Sequence, residues 1–112
     1  KSTDGGAAWT PATRLTWNLD ESSDPALVID SNDDLHLFWS DETTGFSEIF
    51  YRNSTDQGTT WSARQRLTYM SGYSYRPEAV VDSNDYLHLV WYDNTPAFTP
   101  DYNEEIYYKN RK

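Results

Sequence analysis

The chain has 112 residues with 18 acidic and 9 basic side chains, a formal charge of −9, so phosphate backbones and anionic membranes are repelled and neither nucleic acid nor a membrane is expected as a partner. The absence of cysteine excludes disulfides, thiolate-zinc sites and cysteine nucleophiles. Aromatic residues make up 16% of the chain, enough large rings to build a core despite a mean hydropathy of −0.86, and no apolar run nears the ~20 residues of a membrane helix.

The chain opens on Lys1, which is read as the result of processing or excision, with any export signal removed and an extracellular or periplasmic site of action. Ser2-Thr3-Asp4-Gly5-Gly6-Ala7-Ala8-Trp9 comes first and returns as Ser54-Thr55-Asp56-Gln57-Gly58-Thr59-Thr60-Trp61, a spacing of 52 residues (54 − 2). Arg14-Leu15-Thr16 closes this opening segment and returns as Arg66-Leu67-Thr68 at the same spacing. A period of this length marks solenoids or propellers.

Ala26-Leu27-Val28-Ile29 is the first predicted strand and ends at Asp30-Ser31-Asn32-Asp33, whose side chains tolerate the left-handed backbone of a tight turn. Leu35 to Trp39 is apolar at nearly every position, which predicts a strand covered on both faces. Ile49-Phe50-Tyr51 is the third strand, and Trp61 to Leu67 is the fourth. The second copy repeats the plan with Glu78 to Val81, Leu87 to Tyr92 and Ile106 to Tyr108, but five extra residues enter after Phe98, so that Glu105 answers Glu48 at a spacing of 57 (105 − 48). No stretch has helical periodicity. Four short antiparallel strands repeated at a fixed period predict an all-β chain of two four-stranded β-propeller blades.

Ser-x-Asp-x-Gly-x-x-Trp, at Ser2, Asp4, Gly6, Trp9 and again at Ser54, Asp56, Gly58, Trp61, resembles the Asp-box of the bacterial neuraminidase repeat, a family of β-propellers that includes sialidases. The Leu-His-Leu-x-Trp, Glu-Ile-aromatic-Tyr and Arg-Leu-Thr segments are similar to that family too. The resemblance implies that each box is a structural turn between the third and fourth strands, with Asp and Ser holding backbone N–H groups, Gly at positive φ and Trp packed beneath. It also implies a six-bladed ring. Residues 1–16 then form a fourth strand that completes a neighbour's blade, residues 17–68 form one blade, and residues 69–112 form the first three strands of another. With two blades per chain a dimer, trimer or tetramer gives about four, six or eight blades, and the six that the resemblance implies make three copies of 13.0 kDa, a homotrimer of about 39 kDa.

Sialidases resemble this chain in fold but spread their arginines, nucleophilic Tyr and acid/base Asp over several blades, so no catalysis is expected from two. Tyr75-Arg76-Pro77 is similar to their Arg-x-Pro region without its spacer, and the equivalent Asp24 is expected to pair with Arg76. His36 and His88, flanked by apolar residues, are expected to be buried between blades rather than to hold a metal. The Asp30 to Asp34 run lacks the Gly and distal Glu of a calcium loop and is expected to be a turn. Asn53-Ser54-Thr55 fits the glycosylation pattern but falls inside the box. No metal and no cofactor is therefore expected.

The remaining loops gather on the face opposite the boxes and carry aromatic rings beside carboxylates and amides, a combination suited to carbohydrate. Trp17, Tyr69, Tyr73, Tyr75, Arg76, Asp93 and Tyr102 are the candidate ligand contacts. Rings that merely pin the long loops, in a scaffold with no small ligand, are one alternative, and a fragment of a larger sialidase-like glycosidase, as the resemblance allows, is another.

Overall fold

The computed structural model describes residues 1–95 and 104–112, and all of its regular structure is strand. Seven strands run in chain order: β1 (Ser22–Ile29), β2 (Leu35–Asp41), β3 (Glu48–Ser54), β4 (Gln65–Arg66), β5 (Ser74–Val81), β6 (Leu87–Asp93) and β7 (Glu105–Arg111). They form two antiparallel meanders, sheet I in the order β1-β2-β3-β4 and sheet II in the order β5-β6-β7. The repeat in the sequence is thus a repeat in the fold, because β-branched and aromatic runs punctuated by Asx-rich turns leave each copy the same pairing choices.

The turn after β1 shows how those residues fold. Asp30 accepts from the Asn32 and Asp34 amides at 2.9 and 3.0 Å, and Asp33 takes the left-handed backbone at φ 64°. Asp82 repeats the device with Asn84 and Tyr86 at 2.8 and 3.0 Å, with Asp85 at φ 61°. These side chains close turns, as expected of short Asx residues. The two turns also touch, for Asp85 accepts from the Ser31 amide at 2.8 Å and from its hydroxyl.

The core lies between the sheets. Phe38, Ile49 and Tyr51 of sheet I meet Leu87, Leu89 and Trp91 of sheet II, with Val28, Leu67, Ala79 and Tyr107 packed around them. Because side chains alternate along a strand, Val80, Val90, Ile106 and Tyr108 point away from this layer and are exposed. Leu27 and Ile29, on the outward side of β1, are exposed as well.

One expectation is corrected here. The fourth strand is only two residues long, with Ser62 meeting Asn53 separately, its amide giving a 2.9 Å bond to Asn53 O while its hydroxyl accepts the Asn53 N–H at 3.0 Å. Residues 1–16 form no strand within the chain, and the strand expected of them is one that pairs with a neighbour's blade. Trp9 lies against its turn as Trp61 does, a Cβ on Gly6 or Gly58 falling 3.9 or 4.0 Å from the respective ring, but the rest of Trp9 is open and the residue is 72% exposed.

Candidate functional site

Loops 42–47, 67–73 and the segment from Asn94 leave the sheets at the end opposite the Asx turns. A buried carboxylate node joins them. Glu48, fully buried at the start of β3, accepts from Arg66 and Thr68, from the Met70 amide at 3.1 Å and from the Ser74 hydroxyl at 3.4 Å. The Ser74 amide in turn donates to Ser47 O at 2.7 Å, locking sheet II to sheet I. An unpaired carboxylate in that position would be costly, so these donors are a condition of its burial.

Asp93, expected as a ligand contact, is fully buried, and it accepts from Ser74 Oγ at 2.7 Å, the Thr95 amide at 2.8 Å and Trp91 Nε1 at 3.3 Å. It anchors the loop and presents no oxygen to a ligand. Asp41 does the same in sheet I with Trp39, Thr43 and Ser22. Burial pushes the Asp41 carboxyl up, but the donors from Thr43, Trp39 and Ser22 outweigh it and hold the carboxyl below its usual range.

The candidate rings do not share one platform. Trp17 lies against Arg52, whose guanidinium is 5.8 Å from the ring centre, in a cavity it shares with Asp20, Thr43 and Arg64. Tyr69 lies at the mouth of the cleft between the sheets, 4.5 Å from the Arg66 guanidinium. Tyr75 stacks on Tyr92 with centroids 5.9 Å apart and donates its hydroxyl to Glu104, a bond that pushes the phenol up to about 12. Tyr102 lies outside the described residues.

Tyr73 and Phe46, by contrast, meet edge to face at 5.3 Å and are 42% and 46% exposed. Asn94 clamps this pair: its side-chain oxygen accepts from the Tyr73 amide at 2.7 Å and its own amide donates to Tyr73 O at 3.1 Å. Phe46 is a contact the sequence does not reveal, because an isolated Phe in a loop gives no signal until its partner is known. Gly72 makes the clamp possible, since a Cβ there would lie 2.6 Å from the Thr95 amide nitrogen.

Arg76 is exposed at a bulge in β5, with φ 53°, and its amide donates to Ser40 Oγ at 3.0 Å. Among the described residues it forms no ion pair, and Asp24 instead accepts from Ser40 Oγ at 3.4 Å, so the expected Asp24–Arg76 pair is replaced by a shared serine. Both residues sit at matching bulges, where the left-handed backbone turns their side chains off the regular alternation.

The histidines serve the sheets. His36 lies between Tyr51 OH at 2.8 Å and Asp30 at 3.2 Å, and His88 between Tyr108 OH at 2.8 Å and Asp82 at 3.1 Å. The His36 side chain is 11% exposed, on the face of sheet I that meets sheet II and stacked on the core residue Tyr51, whereas His88 is 29% exposed on the outer face of sheet II, which nothing among the described residues covers. Among the described residues no group of three or more His, Asp or Glu could hold a metal ion.

The two Ser-x-Asp-x-Gly-x-x-Trp turns have one geometry. Ser2 and Ser54 each accept from the glycine amide at 2.8 Å and donate to the aspartate at 2.7 and 2.8 Å. Asp4 accepts from the Ala8 amide at 3.0 Å, and Asp56 from the Thr60 amide at 2.8 Å and its hydroxyl at 2.6 Å. The glycines have φ of 92° and 87°, a region only glycine enters freely. The Thr60 hydroxyl and amide, with Ser54, hold Asp56 down to about 2.

No protein-family model matches this chain, and no curated protein matches it.

Proposed function

We propose that the chain is a non-catalytic repeat module whose loop end, centred on Phe46 and Tyr73, binds carbohydrate. The exposed edge-to-face pair carries this reading. It offers a rigid apolar surface, already ordered by the Asn94 clamp, on which the apolar face of a pyranose can rest. Tyr75, stacked on Tyr92 and bonded to Glu104, and the exposed Arg76 follow Tyr73 at the start of β5 and supply hydroxyl partners and a site for an acidic sugar. The buried carboxylates support the non-catalytic part, because Asp41, Glu48 and Asp93 are committed to donors that hold the loops.

Calorimetric titration with neutral and sialylated oligosaccharides tests the proposal. Phe46→Ala and Tyr73→Ala should each weaken binding by about 10-fold or more, and Arg76→Ala should weaken only the sialylated ligands. A chain that binds neither class, or that binds with both ring variants unchanged, overturns it. A scaffold with no small ligand is the second reading, favoured by the dispersal of Trp17 and Tyr69 over separate surfaces.

A further inference from the structure

The two copies of the repeat share a sequence but not an environment. Ile49 is 0% exposed and its equivalent Ile106 is 62%; Tyr51 is 5% and Tyr108 is 59%. Sheet II covers the first member of each pair, and nothing among the described residues covers the second. The converse holds on the other side. Ala79 and Val81 pack into the core, while their equivalents Leu27 and Ile29 are exposed on the far side of sheet I. One exposed face is therefore a copy of what the sheet I side of the contact buries, and the other a copy of what the sheet II side buries.

Polar groups follow the same rule. Glu48 is buried under Arg66 and Thr68, whereas Glu105 is exposed. Its missing donors have equivalents in Arg14 and Thr16. Arg14 is exposed, it has no carboxylate partner among the described residues, and it is already bent as Arg66 is, with Nε donating to Thr16 O at 2.6 Å against 2.7 Å from Arg66 to Thr68 O. The backbone edges match as well. The outer edge of β3 receives Leu67 N at Ile49 O, 2.8 Å, and Ser62 N at Asn53 O, 2.9 Å. The corresponding edge of β7 has no strand beside it among the described residues.

We infer that a second copy of this chain docks head to tail on sheet II, with residues 13–16 of one copy paired along β7 of the other and Arg14 joined to Glu105. The contact repeats the one inside the chain. Charge complementarity and a preset guanidinium select the occupant, and an acidic protein of net charge −9 would otherwise repel its own kind. The turns add a second polar link, Ser83 to Asp33, equivalent to Ser31 and Asp85. In the single chain Trp9, Pro11 and Leu15 line a cavity with Leu27, Ile29 and Leu35. Docking withdraws the segment from that face and frees it for the next copy. The inference stands whether or not the loop end binds a sugar.

The chain's lack of cysteine permits a direct test. Gln65 pairs with Tyr51 across β4 and β3, so Thr13→Cys and Tyr108→Cys place two thiols opposite each other in adjacent copies. Oxidation of the double variant should give a covalent ladder on a denaturing gel, while either single variant should not. Light scattering on the unmodified chain should give a multiple of 13.0 kDa, and Glu105→Arg should raise the dissociation constant by about 100-fold or more. A unit mass of 13 kDa at 100 μM overturns the inference. So does an oxidised double variant, folded by circular dichroism, that stays a single chain. Neither readout contains a glycan, so failure here leaves the carbohydrate proposal standing, and the reverse.

Discussion

Replacing Glu48 by alanine tests whether the buried carboxylate node holds the two sheets together. Four groups donate to it, and their fates differ. Ser74 keeps Asp93 at 2.7 Å, and Arg66 keeps Thr68 O at 2.7 Å while its side chain is 27% exposed, so water can take the freed nitrogen. Thr68 has no such escape. Its oxygen already accepts from the Ile49 amide at 2.9 Å and it is 4% exposed, so its hydroxyl proton is left without an acceptor. Breaking a fully buried ion pair costs ~3–5 kcal/mol and an orphaned buried hydroxyl ~1–3, and because this arginine is part-exposed a combined cost of about 3–4 kcal/mol is expected. At ~4 °C per kcal/mol for a domain of this size, Tm should fall by about 12–16 °C. Glu105→Ala, at the exposed equivalent, should cost less than ~0.5 kcal/mol in the dissociated chain. Urea unfolding followed by tryptophan fluorescence, repeated over a range of protein concentration to separate folding from association, measures both. Equal midpoints for the two variants would refute the reasoning.

Acid should weaken the protein in a defined window. Asp56, held down to about 2 by Thr60 and Ser54 from an ordinary 3.8, and Asp4, lowered by Ala8 and Ser2, have folded values below their unfolded ones. Their stabilisation is complete above 3.8 and lost as pH falls toward 2. The urea midpoint should therefore drop between those values, and less steeply in Asp56→Asn. Gly72→Ala should cost ~1–3 kcal/mol by driving a Cβ into the Thr95 backbone; an unchanged Tm would show that the loop yields. Asp85→Ala, which removes the Ser31 acceptor and puts alanine at φ 61°, should cost ~1 kcal/mol and lower Tm by about 4 °C, while amide exchange at Ser31 rises about 10-fold, which hydrogen-exchange NMR reads directly.

Much of the fold was readable because alternation and Asx turns are local signals. Leu35 to Trp39 and Ile49 to Tyr51 fall inside observed strands, and both turns form where Asp30 and Asp82 stand. What was not readable depended on partners. β1 begins at Ser22, ahead of the predicted start, because a bulge at Asp24 lets pairing continue past a residue that propensity would exclude. Trp61 to Leu67 reads as a full strand, yet only Gln65 and Arg66 complete the ladder. The loop end suffered most. Asp93 and Tyr73 look alike as loop residues, and only the fold shows that one is spent on Ser74 and Trp91 while the other stays open to solvent beside Phe46.

The two sheets are fastened at opposite ends, by Ser31 and Asp85 at the turns and by Glu48 and the Ser74–Ser47 bond at the loops. A body pinned at one point can pivot; pinned at two well-separated points it can only flex. The dihedral between the sheets is thus a property of the polar links at the two ends of the apolar layer, and shortening either fastening would tilt one sheet on the other. In the head-to-tail assembly proposed above, a tilt of a few degrees at each contact would accumulate, so Asp85 and Glu48 would set the angle between successive copies.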